Sequence, residues 1–215
     1  EIRVMKKDLI QAVYELDEDL VLELVQEKIA IGENSLSIVN QIQQGISLIS
    51  DAYDSGEYFI ADLIMAGIIF ESVIGILDFS DPCDVSLPEK LQVKVIAATV
   101  KGDIHDIGKN LSKTYFLSRG VEIEDLGVDI PPQEIVKQVA QYNKVLLFLS
   151  GLVSESYDSM KETINLLETS GLRDRVHVVI CGAVDKDVCR FTRADNWVND
   201  LVSGYDIFKK ILTGN

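Results

Sequence analysis

The apolar residues of this chain change their period part-way along, and that change limits the fold more than any other feature. From Lys7 to about Leu77 they recur at helical spacing, as in Leu9, Ala12, Val13 and Leu16, then Leu20, Leu22, Leu24, Val25 and Ile29. Asp17 to Asp19, Ile31 to Asn34 and Ser55-Gly56 supply caps and turns that divide this half into four helices, for which a four-helix bundle is the economical packing. Further on, short apolar runs alternate with helical segments. The runs are Val93 to Val100, Val121 to Leu126, Val145 to Leu149 and Val176 to Ile180, and the helices fall near Lys109 to Ser118, Gln133 to Tyr142 and Tyr157 to Thr169. A weaker unit follows, with a strand over Trp197 to Val202 and a helix over Tyr205 to Leu212. Alternating strands and helices mean a parallel sheet. The expected fold is therefore α/β: a helical bundle followed by a Rossmann-like, flavodoxin-like doubly wound sheet of five strands. Pro, Ser and Asp concentrate in Asp78 to Lys90, DFSDPCDVSLPEK, which reads as a linker and sets the domains at 1–88 and 89–215.

Composition narrows the function. The 35 acidic residues against 20 Lys and Arg give a net charge of -15, which leaves little basic surface for displacing phosphate counterions, so no nucleic-acid partner is expected. Cys83, Cys181 and Cys189 form no C-x-x-C pair and suggest neither a zinc knuckle nor a disulfide framework. The first residues lack the apolar core of a signal peptide. The longest apolar run, Leu63 to Phe70, is far too short to span a bilayer and reads as a buried helix. A cytoplasmic protein with no membrane contact is the expectation.

In a doubly wound sheet, ligands bind beyond the carboxyl ends of the strands at the topological switch point. The first loop there is KGDIHDIGKN, containing Asp103-Ile104-His105-Asp106-Ile107-Gly108, a D-x-H-x-x-G pattern. A histidine two residues after an aspartate can offer one ring nitrogen to a metal while donating its other N–H to the carboxylate, which fixes the tautomer and raises ligand basicity. Short patterns arise by chance, but further features occupy other predicted strand ends: Ser150-x-Leu152, the turn at Gly182, and Ala194-Asp195-Asn196-Trp197. Other polar residues have plainer readings. His177 reads as an edge or surface residue, and Asp17-Glu18-Asp19 and Glu122, Glu124, Asp125 read as solvated faces.

With these residues in place, the chain resembles the cobalamin-binding proteins, specifically the small corrinoid methyl carriers of methyltransferase systems, which share this module with cobalamin-dependent methionine synthase. The resemblance covers nearly the whole chain, through GEYFIADLIMA, VKGDIHDIGKNL, DLGVDIPP and LSGL. It implies that His105 ligates cobalt after the nucleotide tail has left the metal, with Asp103 hydrogen-bonded behind it and Ser156 as third member of the ligand triad. Asp106 and Ile107 belong to the same loop, and Gly108 would let the backbone approach the corrin closely. Ser150, Leu152 and Ser154 match positions lining the slot for the displaced tail, with Cys181, Gly182 and Trp197 at neighbouring strand ends. Leu126 to Pro131 matches a segment that abuts the corrin ring. The family usually has two glycines where this chain has Cys181-Gly182, and a Cys side chain narrows that passage. Phe59, after Gly56-Glu57-Tyr58, falls where a helix covers the upper corrin face, although Phe59, Leu63, Ala66 and Ile69 also share the spacing of a plain bundle core.

The implied function is a shuttle. The chain would bind cobalamin, as methylcobalamin or a related corrinoid, base-off and histidine-on, and carry a methyl group between a substrate-specific methyltransferase and an acceptor-side methyltransferase. A corrinoid-reactivating reductase is a candidate third partner. The chain would be one component of a multi-subunit enzyme, since a donor-binding barrel would not fit here. Two alternatives use the same cofactor: the cobalamin-binding subunit of an adenosylcobalamin mutase, against which the helical cap argues, and a non-catalytic cobalamin sensor, for which residues 1 to 88 supply no basic DNA-reading helix. A phosphoacceptor receiver would need an aspartate where Ser150 stands, and a flavodoxin a hydroxyl-rich loop where KGDIHDIG stands.

Overall fold

A computed structural model of the chain describes residues 8–79, 93–117 and 119–213. The chain divides into two compact units, Glu1–Phe79 and Ser80–Asn215. Most of the expected linker, with Cys83 and the expected 88/89 boundary, lies outside the described residues.

The first unit contains α1 (Leu9–Tyr14), α2 (Glu18–Ala30), α3 (Ser35–Asp54) and α4 (Ile60–Ile76). The breaks carry the expected chemistry. Asp17 caps α2 by accepting the Leu20 N–H at 3.2 Å, and Asn34 caps α3 by accepting the Leu36 N–H at 2.8 Å. Leu9, Ala12 and Val13 of α1 pack with Ile38, Val39, Ile42 and Ile49 of α3 in the buried core. Gly45 of α3 lies so close to α1 that a Cβ there would meet Val13. The Tyr58 hydroxyl donates to the Tyr14 carbonyl at 2.8 Å.

The apolar run in α4 is not a fully buried helix. Ala66, Ile69, Phe70 and Val73 are buried, whereas Ile60, Ile64 and Ile68 are exposed. The helix is apolar on nearly every face, so its periodicity gave no sign of which side is covered. No helix among the described residues is long and apolar enough to cross a membrane.

The second unit is a five-stranded parallel sheet of order β2-β1-β3-β4-β5, built from β1 (Lys94–Thr99), β2 (Ile123–Asp125), β3 (Val145–Gly151), β4 (Val176–Gly182) and β5 (Asn196–Val198). Helices α5 (Ile107–Leu117), α6 (Pro132–Val139), α7 (Ser156–Thr169), α8 (Lys186–Thr192) and α9 (Leu201–Thr213) alternate with the strands. One face of the sheet presents Ile96, Ala98, Leu147, Leu149, Val178 and Ile180 to Ile135 and Val139 of α6 and Met160, Ile164 and Leu167 of α7. The other face carries Phe148 against Phe116 of α5, which also meets Tyr205 and Phe208 of α9 edge-on. The order places the switch point between β1 and β3, where the chain leaves toward opposite faces.

The sequence reading missed α8, seven residues capped by the Asp185 carboxylate, which accepts the Asp187 and Val188 N–H groups at 2.8 and 2.9 Å. It is too short to show a period. The fifth strand is also shorter than expected, because Leu201 and Val202 already belong to α9. His177 lies in β4, between β3 and β5, and its ring Nε2 meets Asn196 Oδ1 at 2.7 Å, so it is a half-buried member of an interior strand rather than an edge residue.

Candidate functional site

The site grows from the end of β1. A bridge between Val100 and Ile130 prolongs the sheet beyond Thr99, and the chain then turns at Gly102, whose φ of 88° suits a residue without a Cβ. The turn sends the Asp103 carboxylate inward: Asp103 is 2% exposed. Its Oδ1 accepts the His105 backbone N–H at 2.9 Å and lies 2.7 Å from His105 Nδ1. Its Oδ2 crosses the switch point to accept the N–H groups of Leu152 and Val153, the latter at 3.1 Å, from the loop after β3.

Burial alone would raise the Asp103 pKa, but hydrogen bonds from the His105 and Leu152 backbone, the imidazole and the Val153 backbone together hold it below the usual carboxylate range. The carboxylate is ionised at neutral pH, so Nδ1 carries the proton in the bond between them. That leaves Nε2 of a half-exposed side chain for a metal. Thr99, fully buried, donates its hydroxyl to the His105 carbonyl at 3.2 Å.

The residues around His105 are exposed and apolar: Ile104 is 72% exposed, Leu152 50% and Val128 36%. Apolar side chains left in water at the mouth of a sheet suit a large flat ligand. Gly108 adds to this. A Cβ there would meet nothing within 4 Å, so neither packing nor a left-handed backbone calls for glycine, and its missing side chain leaves room above the first turn of α5. Asp106 precedes that turn and is half-buried like Ile107, its carboxylate accepting from the Asn110 side chain at 3.0 Å.

Register sets a second group beside the first. Thr99, Ser150 and Cys181 are paired side by side across β1, β3 and β4, on the face that packs against α5 and α9. Gly182 follows with φ of 108°, and a Cβ there would collide with the Gly151 carbonyl oxygen, so this glycine is dictated by the close approach of two strand ends. Cys181 is absent from the left-handed residues, so its side chain costs the backbone nothing. Burial pushes its thiol up to about 11, outweighing a hydrogen bond with Ser150, and its Sγ points at the Leu149 carbonyl 3.6 Å away. A thiol so held favours its protonated form.

Three expected site residues of this unit stand apart from this cluster. The buried Ser156 hydroxyl donates to the Val153 carbonyl at 2.6 Å, closing the first turn of α7, and reaches Asp103 only through the loop it stabilises. Ser154 is exposed and donates to Glu155 at 3.1 Å. Trp197 lies on the edge strand β5, level with Ile180 and 40% exposed. Phe59 belongs to the helical unit, where it is 71% exposed ahead of α4 and its N–H donates to Asp62 at 2.7 Å, so it is not bundle core.

The sequence reading also missed a buried cation. Lys109, 5% exposed, donates to both Asp125 oxygens at 2.6 and 2.7 Å, and Lys113 joins at 2.9 Å. Asp125 is thus no solvated residue. Glu124 is likewise engaged, by Lys94 at 2.9 Å and the Tyr142 hydroxyl at 2.7 Å. Lysine spacing relative to β2 offered no signal, since the pairing depends on how α5 returns across the sheet.

Comparison with known proteins identifies the family. Residues 93–206 match the B12 binding domain family, and residues 5–78 match a second family model, also described as a B12 binding domain. The chain belongs to the B12-binding family. It is 30% identical over 182 residues to dimethylamine corrinoid protein 2 of Methanosarcina mazei, covering 83% of this chain and 84% of that one. It is 29% identical to a corrinoid protein of Desulfitobacterium hafniense, over 95% of this chain and 96% of the other. The monomethylamine corrinoid protein of Methanosarcina barkeri matches in structure with a TM-score of 0.84 at 25% identity, over 94% of this chain and 96% of that one. This chain is thus a corrinoid-binding protein of the methyl-carrier type, and the residues at the mouth fit the cofactor: an oriented imidazole, an open apolar surround and a glycine with empty space above it.

Proposed function

We propose that this chain carries a methyl group between a substrate-specific methyltransferase and an acceptor-side methyltransferase, holding cobalamin base-off with His105 as the lower cobalt ligand. A corrinoid-reactivating reductase is the third partner we infer. The observation that carries the reading is the His105 Nδ1 to Asp103 contact of 2.7 Å, made by a carboxylate that is itself out of water. Its relatives named for dimethylamine and monomethylamine favour the carrier over a mutase subunit or a sensor.

Bound cobalamin supplies a cobalt centre that accepts and gives up a methyl group. The protein supplies orientation and charge. Asp103 fixes the Nδ1–H tautomer and leaves Nε2 as the nitrogen that would hold the metal. Ser156 supports this from one step away, since its hydroxyl fastens the loop whose N–H groups grip Asp103. Ile104, Val128, Leu152 and Gly108 form the surface we assign to the corrin, with Asp106 and Ile107 opening the helix beside it. Ser150, Ser154, Cys181, Gly182 and Trp197 are assigned to the tail side, and Phe59 to the upper face.

The test is the visible spectrum of the chain after incubation with hydroxocobalamin and desalting, compared with the His105→Ala variant. A retained corrinoid whose spectrum changes in His105→Ala is expected. Retention with the same spectrum in both proteins would remove His105 as ligand. Phe59→Ala should speed photolysis of protein-bound methylcobalamin, and an equal rate would take Phe59 out of the site.

A further inference from the structure

The loop that carries His105 is held from its other side by a residue outside the D-x-H-x-x-G pattern. Asp129, between β2 and α6, has φ of 54° and is one of three non-glycine residues in the left-handed region among those described. Side chains generally avoid that region, and Asp and Asn enter it most readily because a short polar side chain can bond locally. Here the conformation aims two groups at the peptides on either side of the Gly102–Asp103 bond. Asp129 Oδ1 accepts the Gly102 N–H at 2.8 Å, and the Asp129 N–H donates to the Asp103 carbonyl at 3.0 Å. The Gly102–Asp103 peptide is thereby bracketed, while the Asp103 N–H turns back to the Val100 carbonyl at 3.1 Å. The backbone at Asp103 sets where its carboxylate points, and the carboxylate sets where the His105 ring points.

We propose that Asp129 is a positioning residue for the lower cobalt ligand: from the neighbouring loop it pins the backbone on both sides of the Gly102–Asp103 peptide, so that carboxylate and imidazole are aimed before any corrinoid arrives. The proposal rests on the reading of His105 as that ligand. Its two contributions, a left-handed backbone and an acceptor, are separable by substitution. Glycine keeps the backbone and loses the acceptor, asparagine keeps both, and alanine loses both.

The experiment measures amide hydrogen exchange on the chain without corrinoid, then titrates hydroxocobalamin and records visible spectra. It uses Asp129→Gly, Asp129→Asn and Asp129→Ala, each also combined with His105→Ala. Asp129→Gly is expected to speed exchange at Gly102 about tenfold, to weaken hydroxocobalamin binding about tenfold and to shift the bound spectrum toward that of His105→Ala. The amides of Leu147 and Leu149 in β3 should keep their protection, which shows that the sheet is intact. Asp129→Asn should restore exchange and binding to within about twofold, and Asp129→Ala should be the weakest binder. In the His105→Ala background the Asp129→Gly change should matter little, because the group it orients is gone. Wild-type exchange and affinity in Asp129→Gly would overturn the proposal. An equal loss of affinity in both backgrounds would also overturn it, since Asp129 would then be acting on the pocket and not through the imidazole. An unchanged spectrum in His105→Ala alone would sink the ligand reading and this role with it. That failure is told apart from failure of the bracket by the exchange rate at Gly102, which needs no corrinoid.

Discussion

Asp103 and Asp125 are two carboxylates taken out of water in the same unit, and they are satisfied by different chemistry. Asp125 ends β2 between two lysines and accepts the Gly127 N–H at 3.0 Å. Asp103 sits beyond β1 and, among the described residues, receives no lysine: its partners there are three backbone N–H groups and one imidazole. For both, burial raises the pKa and the hydrogen bonds more than reverse it. The lysines cancel the charge of Asp125 where it stands, so its effect stays in the fold. Backbone donors leave the charge of Asp103 uncancelled, and among the described residues the ring in contact with it is that of His105. A buried acid with cations around it is holding structure together, whereas one held by amides beside a half-exposed ring is set up to tune that ring.

The contrast breaks most visibly through stability. Asp125→Asn leaves the Lys109 ammonium buried with a weakened partner, and denaturant unfolding should show a loss of about 3 kcal/mol. The bound-corrinoid spectrum of the folded fraction should not change; a normal stability or an altered spectrum would erase the distinction. Asp103→Asn should cost about 1–2 kcal/mol, because an amide cannot accept from every donor there. It should also shift the reduction potential of the bound corrinoid.

The pH dependence follows from the lowered pKa of both groups. Their contribution to stability is fully present above the unfolded carboxylate value of about 3.9 and is lost as pH falls through the lower folded values. Melts on the acid side of pH 4 should therefore be shallower in either variant than in the wild type, and parallel slopes would refute the linkage.

Cys181→Gly should lower stability by about 0.5–1 kcal/mol through backbone entropy. It should also tighten hydroxocobalamin binding if the Cβ narrows the tail slot, and weaker binding would show that the thiol assists. His105→Ala should have the smallest effect on unfolding, within about 0.5 kcal/mol, since the ring is half-exposed and the amide donors to Asp103 remain. A larger loss would mean that the imidazole supports the carboxylate as much as the carboxylate supports the imidazole.

The period change and the D-x-H-x-x-G loop were legible because both are local. Helical spacing marked the four helices of the first unit, and alternating runs marked the first four strands near their observed positions. What escaped was set by contacts between distant segments. Asp125 read as solvent-facing because nothing in EIED shows that Lys109 folds back over it. Asp129 sat unremarked in DLGVDIPP because its partner Gly102 is 27 residues away. The resemblance placed Ser156 in the ligand triad, whereas its hydroxyl goes to the nearby Val153 carbonyl. Nor did the apolar content of α4 distinguish its covered side from its open one.

The Lys109 to Asp125 pair also bears on how the site meets its ligand in time. It fastens the first turn of α5 to the end of β2, while the loop leaves β1 at its other end and the Thr99 hydroxyl ties the His105 carbonyl back to that strand. A span anchored at both ends has little motion left to lose, so association should proceed without a slow ordering step in the protein and with a small entropic penalty. Part of the speed of capture is then set by an ammonium turned away toward a carboxylate, at a residue that need never touch the cofactor.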